Sequence, residues 1–133
     1  MIHVVAAVVW RDGRVLLTQR PPGGPLGSQW EFPGGKIESG ETPEQALARE
    51  IDEELGVVAT PLEILARHRH RYAHGLAVEI VFVRCTLGSL AFRPSHAVQA
   101  TRWVVPADVD LDQVLEADRA FLRALTADRK DVE

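Results

Sequence analysis

Three glutamates, Glu50, Glu53 and Glu54, lie within five consecutive positions of the sequence. At about 100° per residue, their side chains would share roughly 100° of the circumference of an α-helix. Like charges this close repel one another and weaken an isolated helix, so something has to offset the repulsion. Hard divalent cations such as Mg²⁺ bind carboxylate oxygens together with water. The spacing therefore indicates a metal site, and metal-bound carboxylates of this kind can support chemistry on phosphates.

A solvated acidic helix face is the alternative interpretation, and it is the usual one for acidic runs. Two features of the surrounding sequence favour the metal site. The glutamates follow a glycine-rich turn, Pro33-Gly34-Gly35-Lys36, and a basic residue, Arg49, stands directly before them. The segment as a whole is therefore more typical of a binding site than of a solvated surface.

The helix that would carry these acids has clear ends in the sequence. Thr42 is a good N-cap, Pro43 suits the first helical position, and Gln45 completes a capping box. Gly56 suits the left-handed residue that ends a helix. Apolar residues recur at four-residue spacing and predict a buried stripe that would hold the carboxylates rigidly. These residues are Leu47, Ile51 and Leu55.

Strands are predicted on both sides of this helix, and a second helix is expected from about Ala117 to Ala127. Asp12-Gly13 predicts a hairpin turn, and the dense Pro and Gly from Pro21 to Ser28 predict a loop. The predicted strands are Val4–Trp10, Val15–Gln19, Trp30–Phe32, Leu62–His70, Ala77–Cys85 and Ala100–Val105. This order is neither all-β nor a regular βαβ series. It predicts an α+β fold, an α/β/α sandwich around a mixed β-sheet, in one domain over residues 1–133.

The segment from Gly35 to Val57 resembles the Nudix box, G-x5-E-x7-R-E-U-x-E-E-x-G-U, in which U is an aliphatic residue. Every defined position of that pattern is matched. The matching residues are Gly35, Glu41, Arg49, Glu50, Ile51, Glu53, Glu54, Gly56 and Val57. The stretch before the box, from Trp30 to Glu38, looks like the same region of MutT-type enzymes and CTP pyrophosphohydrolases.

This resemblance implies a Nudix fold and hydrolysis of a diphosphate linkage in a nucleotide, with Mg²⁺, or Mn²⁺ in its place, bridging the phosphates. By similarity Glu50, Glu53 and Glu54 are catalytic residues and metal ligands, and the carbonyl of Gly34 adds another ligand. Arg49, also counted with the catalytic group, would orient the carboxylates through charge-assisted hydrogen bonds. Glu41 would support the box structurally or through a metal-bound water.

Three residues outside the box resemble substrate contacts of MutT-type enzymes, which convert nucleoside triphosphates to monophosphates and pyrophosphate. Arg20 matches a phosphate-contacting arginine, Phe32 a residue that packs against the base, and Asp118 the base-reading Asn of the 8-oxo-dGTP enzymes. Each has a plainer alternative: a solvated strand end, a core aromatic and an acid in a first helical turn. An ionised Asp only accepts hydrogen bonds, so Asp118 favours a CTP-like or broad specificity, with oxidised dGTP left open.

Two other functions stay open, a nucleotide-sugar or dinucleotide diphosphatase, which the short chain disfavours, and a non-catalytic nucleotide-binding protein. The non-catalytic alternative is suggested by one position at which this sequence differs from the family pattern. MutT-like enzymes carry a metal-binding or water-activating Glu six residues before a tryptophan, and counting back from Trp103 gives Ala97. Either His96, Gln99 or Glu79 takes part in its place, or the box acids suffice.

Composition limits the partners that we expect. A net charge of −4 disfavours a nucleic-acid duplex, because proteins that bind one usually carry a basic excess, but it allows a single nucleotide. His68 and His70, in the one basic cluster, would face the same side of a strand, and a sheet-face role is preferred to a metal site. A single cysteine, Cys85, no charged leader and no apolar run near 20 residues predict a cytoplasmic monomer or homodimer without a membrane partner.

Overall fold

The computed structural model describes residues 1–128, and in this range it contains eight strands and two α-helices. The strands are β1 (Ile2–Val8), β2 (Trp10–Arg11), β3 (Arg14–Gln19), β4 (Trp30–Glu31), β5 (Gly34–Lys36), β6 (Ala59–Arg71), β7 (Ala77–Leu87) and β8 (Ala100–Val104). The helices are α1 (Pro43–Leu55) and α2 (Glu116–Asp128), and 3₁₀ turns occur at Pro106–Asp108 and Leu111–Gln113. The last five residues of the predicted domain, 129–133, lie outside the described range.

The strands form two four-stranded sheets. In the first sheet the order is β5-β1-β7-β6, with β1 and β7 parallel and the other neighbours antiparallel. In the second sheet β2, β4 and β8 all pair with β3 in antiparallel fashion. Helices α1 and α2 pack on opposite faces of the first sheet. The predicted α/β/α sandwich around a mixed sheet is confirmed, with the strands divided between two sheets.

Strand β7 shows how the two faces of the sheet form separate cores. Successive side chains of a strand point to opposite faces, so Val81 and Val83 pack towards α1 while Ile80 and Phe82 pack towards α2. The helix side chains in these cores are Leu47, Ile51 and Leu55 of α1, and Phe121, Leu122 and Leu125 of α2. The predicted α1 stripe is fully buried, and each such side chain stabilises the fold by about 1.5–3 kcal/mol.

The first predicted strand, Val4–Trp10, is two strands in the structure. β1 ends at Val8, and Trp10 pairs with Val15 in the second sheet. A continuous apolar pattern does not distinguish one long strand from two strands that enter different sheets. The Asp12-Gly13 turn is present as predicted, with φ values of 51° and 75°, the positive values that a type I′ hairpin turn requires.

The glycine-rich turn after Pro33 is in fact strand β5, which pairs with β1. Gly34 stands opposite Ala6 and Gly35 opposite Val5. A Cβ atom at Gly34, where φ is 154°, would overlap the carbonyl oxygen of Val5. This close strand pairing therefore needs a residue without a side chain, and it brings the two glycines against α1.

Helix α1 has the predicted ends. Thr42 Oγ1 accepts a hydrogen bond from Gln45 N at 3.1 Å, and Gln45 Oε1 accepts one from Thr42 N at 3.0 Å. Gly56 closes the helix in the left-handed conformation, with φ 69°.

β6, β7 and α2 are longer than the sequence predicted, whereas β8 ends one residue earlier, at Val104. β6 begins at Ala59 and ends at Arg71, β7 extends to Leu87, and α2 exceeds its prediction by one residue at each end. β6 and β7 pair along nearly their whole length despite irregularities near Ile64, so cross-strand pairing sets their ends. No helix in the described range is long and apolar enough to cross a membrane.

Candidate active site

Arg49 lies at the centre of the predicted acid cluster on α1. Its Nε and Nη2 donate to the two carboxylate oxygens of Glu41 at 2.7 and 2.9 Å. Its Nη1 donates to Glu50 Oε1 at 3.0 Å and to Glu53 Oε1 at 2.8 Å. One planar guanidinium thus offsets the repulsion among three carboxylates through charge-assisted hydrogen bonds. The hydrogen bond from Arg49 lowers the pKa of Glu41 to about 2.

Arg49 also ties α1 to the segment before it. Its Nη2 donates to the carbonyl oxygen of Lys36 in β5 at 2.9 Å. Glu41 Oε1 accepts a hydrogen bond from the backbone N–H of Glu38 at 2.9 Å. Because both oxygens of Glu41 are engaged in this way, the geometry favours a structural role for Glu41 over a role through metal-bound water.

Glu50 occupies space that only a glycine at position 35 leaves free. Its side chain is 17% exposed, and a Cβ atom at Gly35 would overlap its carboxylate group. Burial raises the pKa of Glu50, while the hydrogen bond from Arg49 acts in the opposite direction. The sequence order Gly34-Gly35 thus serves two purposes, close pairing with β1 and room for the carboxylate of Glu50.

Glu54 turns away from Arg49 and lines a cavity beside the cluster. Burial, together with the nearby charges of Glu31 and Glu50, raises the pKa of Glu54 to about 8, although a hydrogen bond from the backbone of Gly34 acts in the opposite direction. Glu54 is thus costly to ionise and lies next to other carboxyl groups. A bound cation would stabilise the charged form of such a carboxyl group.

The donor set suits a hard divalent cation. Carboxylate and backbone carbonyl oxygens are the ligands that Mg²⁺ and Mn²⁺ prefer, and Gly34, Gly35, Glu50 and Glu54 stand side by side. Within the described residues, no three His, Cys, Asp or Glu side chains already converge as a metal cage. Arg49 engages oxygens of both Glu50 and Glu53.

A cavity of about 450 Å³ opens beside these acids, within the size range of small-molecule sites. All three predicted substrate residues outside the box line it, as do Gly34 and Glu54. Its polar and charged side chains are Arg20, Glu31, Lys36, Glu54, Tyr72 and Asp118. The tertiary structure therefore brings together residues from β4, β5, α1 and α2, with Arg20 from directly after β3.

Asp118, in the first turn of α2, is 3% exposed. Its Oδ2 accepts a hydrogen bond from the backbone N–H of Phe32 at 3.0 Å. Burial raises the pKa of Asp118 to about 8, and the charge of Glu31 adds to the effect. Burial thus favours the protonated carboxyl group, which can donate as well as accept a hydrogen bond, whereas the interpretation from sequence assumed an ionised acceptor.

Phe32 belongs to the core and also lines the cavity. Its ring is 3% exposed and packs edge-on against Phe82 at 5.7 Å and Phe121 at 5.6 Å between ring centroids. The same residue lines the cavity. Phe32 is thus a core aromatic that also forms part of the wall against which a base could pack.

Glu31 is a charged cavity residue that the sequence analysis missed. Its Oε2 lies 3.4 Å from Nη1 of Arg20. Burial raises the pKa of Glu31 to about 7, and Arg20 acts in the opposite direction. The sequence feature that could have identified Glu31 is its position as a lone acid between the aromatic residues Trp30 and Phe32, in a short strand shortly before the glycines.

The loop after β7 places Ala97 in the cavity wall. Ser95 N donates to the carbonyl oxygen of Glu54 at 2.9 Å, so the loop is tied to the end of α1. The cavity wall, as far as the structure describes it, includes neither His96 nor Gln99. Glu79 is also outside that wall and instead contacts His3 and Arg69. None of these three side chains therefore lines the described cavity, in which position 97 supplies no carboxylate.

The histidines of the basic cluster pack on the α2 side of the first sheet. His68 lies against the rings of Phe82 and Phe121, and His70 Nε2 is 3.3 Å from Glu116 Oε2. This is the sheet-face arrangement preferred from their spacing.

Comparison with known proteins matches this architecture. A family model described as the NUDIX domain matches residues 1–125. The chain is 39% identical over 131 residues to the CTP pyrophosphohydrolase of Escherichia coli (strain K12), covering 96% of this chain and 93% of that protein. It is 45% identical over 73 residues to the 8-oxo-dGTP diphosphatase of Haemophilus influenzae, 54% of each chain. The solution structure of the E. coli ORF135 protein has a TM-score of 0.80 and 36% identity, covering 99% of this chain and 93% of that one.

The family model extends over nearly the whole described chain, and the first of these relatives is matched along almost its full length. The same residues carry the complete box, which runs from β5 to the residues just after α1, and the strands that hold it. Proteins of this family generally use divalent metal cations and act on nucleotides. The chain therefore belongs to the Nudix family and is a MutT-like Nudix hydrolase, a pyrophosphohydrolase.

Proposed function

We propose that this protein hydrolyses a nucleoside triphosphate to the monophosphate and pyrophosphate, with a CTP-like or 8-oxo-dGTP-like base. The observation that carries the proposal is the cavity itself, which joins the box residue Glu54 to the buried Asp118 and Phe32. A phosphate chain at the acids and a base at Asp118 would use both ends of one site. The CTP pyrophosphohydrolase and the 8-oxo-dGTP diphosphatase named above support these two substrate types.

In this proposal Glu50, Glu53, Glu54 and the carbonyl of Gly34 hold Mg²⁺, or Mn²⁺ in its place. The cation would supply charge neutralisation at the phosphates. Glu53 is 55% exposed and has to exchange its contact with Arg49 for the cation. Arg49 keeps the carboxylates oriented from α1, because it remains anchored to Glu41 and to the Lys36 carbonyl.

Arg20 and Asp118 would fix the two ends of the substrate. Arg20 lines the cavity and carries a positive charge close to the box acids, which suits contact with a phosphate. Its ion pair with Glu31 is long, at 3.4 Å. In this proposal Arg20 exchanges that contact for a substrate oxygen. Phe32 and Asp118 would contact the base, one through its ring and the other through hydrogen bonds.

Product analysis on a panel of nucleotides tests the proposal. Purified protein would be incubated with CTP, dCTP, 8-oxo-dGTP, UTP, a nucleotide sugar and a dinucleotide, with Mg²⁺, with Mn²⁺ and with chelator. We expect a nucleoside monophosphate and pyrophosphate from a triphosphate, with turnover lost in chelator and restored by cation. Preferential cleavage of the nucleotide sugar or the dinucleotide would replace this function with the other diphosphatase activity. Binding of nucleotide without any turnover would indicate a non-catalytic nucleotide-binding protein.

A further inference from the structure

Tyr72, the residue directly after β6, contributes a hydroxyl group to the cavity that the sequence analysis did not consider. The residue is 5% exposed and lines the cavity. Its hydroxyl oxygen accepts a hydrogen bond from the backbone N–H of Ala117 at 3.4 Å. Ala117 precedes Asp118, so the hydroxyl group lies at the start of α2 beside the carboxyl group proposed to contact the base.

The hydrogen bond to Ala117 leaves the hydroxyl proton uncommitted. A tyrosine hydroxyl has one proton and two lone pairs, and the bond from Ala117 uses a lone pair. Burial raises the pKa of Tyr72 to about 12, and the charges of Asp118 and Glu31 add to the effect. The group therefore stays protonated, and able to donate, over the whole range in which Asp118 changes its protonation state.

The surrounding side chains hold the phenol ring in place. His70 packs edge-on against it at 4.6 Å, and His74 lies on another side at 5.5 Å, between ring centroids. Asp118 is linked through its carboxyl oxygen to Phe32 N. Tyr72 and Phe32 are thus each hydrogen-bonded to the first turn of α2, at Ala117 and at Asp118, and all three cavity residues lie in the same wall.

We propose that Tyr72 is a specificity-determining residue whose hydroxyl group donates a hydrogen bond to an acceptor atom of the nucleobase. The inference rests on the proposed triphosphate hydrolysis and adds a named contact to it. Cytosine presents the ring nitrogen N3 and the carbonyl O2 as acceptors beside its amino group. In such a complex Tyr72 would donate to an acceptor atom while Asp118 meets a neighbouring group of the same base.

A purely structural role is the competing explanation, because the same hydroxyl oxygen also binds a backbone N–H at the start of α2. The two roles differ in what they affect. A structural cap would act on the whole cavity, including the phosphate end. A base contact would act only on substrates that have a base.

Tyr72→Phe, assayed with two substrates, separates these roles. We would measure kcat and KM for CTP and for methyl triphosphate, which has the phosphate chain but no base. Loss of one hydrogen bond to substrate is expected to raise KM for CTP roughly three- to tenfold. The contact is remote from the reacting phosphorus, so kcat should be nearly unchanged. Kinetics with methyl triphosphate should match those of the wild-type protein.

Glu116→Gln is the matched control. Glu116 contacts His70 at 3.3 Å in the same first turn of α2 but does not line the cavity, so this variant should retain wild-type KM for CTP. Unchanged CTP kinetics in Tyr72→Phe would overturn the inference, as would an equal loss with methyl triphosphate. A wild-type protein that hydrolyses no nucleoside triphosphate would instead overturn the proposed function on which the inference rests.

Discussion

Arg49 shows how a single side chain makes the acidic helix possible. Lysine could not replace it, because its compact ammonium group lacks the planar fork that lets Arg49 reach Glu41, Glu50 and Glu53 together. The sequence indicated that the repulsion had to be offset, and a cation was the expected partner. The structure adds a second partner, since the guanidinium already contacts three of the four box carboxylates.

Glu53→Gln is expected to reduce turnover about a hundredfold or more, because an amide binds a hard cation more weakly than a carboxylate does. The fold should persist, since Glu53 is 55% exposed and lies outside the apolar cores. Steady-state kinetics and thermal unfolding would check both points. Glu63→Gln removes an exposed carboxylate that pairs with Arg84 and serves as the control. Unchanged turnover in Glu53→Gln would remove Glu53 from the catalytic group.

Asp118→Asn is expected to change base preference more than overall activity. Asparagine keeps an oxygen that can accept the Phe32 N–H, but its other group is a permanent donor, whereas Asp118 exchanges donor and acceptor character as it titrates. The ranking of CTP, UTP and 8-oxo-dGTP by kcat/KM should therefore differ between the two proteins. The same ranking in both would indicate that Asp118 does not contact the base.

At the scale of elements, the site depends on how closely β5 approaches α1. Gly35 of β5 faces the carboxylate of Glu50, and the loop after β7 contacts the last turn of α1 through Ser95 N and the carbonyl oxygen of Glu54. Two segments far apart in sequence thus hold the C-terminal half of the box helix. Substitutions at these contacts should change the position of the acids.

Gly35→Ala tests this element contact. The added Cβ atom would overlap the carboxylate of Glu50, which has to rotate away, so we expect turnover to fall about tenfold or more. Thermal stability should change less, because the displaced group is the end of a flexible side chain. In Gly88→Ala the nearest atom to the new Cβ would be 3.6 Å away, which makes that variant the control. Equal turnover in both variants would contradict the predicted contact.

At the scale of the whole molecule, the cavity concentrates acids that are difficult to ionise. Glu31, Glu54 and Asp118 all line it, and burial raises the pKa of each, to about 7, 8 and 8 respectively. Acids whose pKa is higher in the folded state bind more protons there than in the unfolded chain. The free energy of unfolding then decreases as pH rises from the ordinary pKa to the raised one.

Asp118→Asn also measures how the raised pKa of Asp118 lowers the free energy of unfolding, because asparagine does not titrate. The pKa of Asp118 is raised from 3.8 to about 8, so the wild-type protein should lose stability relative to the variant as pH rises through that interval. We expect the variant to have the higher Tm at pH 8, by several degrees, and a smaller advantage at pH 5. Thermal unfolding of both proteins at the two pH values checks this. An advantage that does not depend on pH would show that Asp118 is not the titrating group.

Local sequence by itself determined helix α1, its caps, its buried stripe and the row of box acids. It also determined the Asp12-Gly13 turn. These features depend on the periodicity of apolar residues and on the backbone preferences of Thr, Pro and Gly, which act over only a few residues. For the same reason the order of residues alone is enough to locate the box.

Only the tertiary structure decided which distant residues share the cavity and how they titrate. Asp118 meets the backbone of Phe32 across 86 positions of sequence, Glu31 and Tyr72 line the same wall, and the glycines after Pro33 form a strand rather than a turn. Strand pairing and burial depend on neighbours that are remote along the chain. The pKa of a carboxyl group depends in turn on that burial. Neither the residues that share the cavity nor their pKa values could therefore be obtained from local sequence.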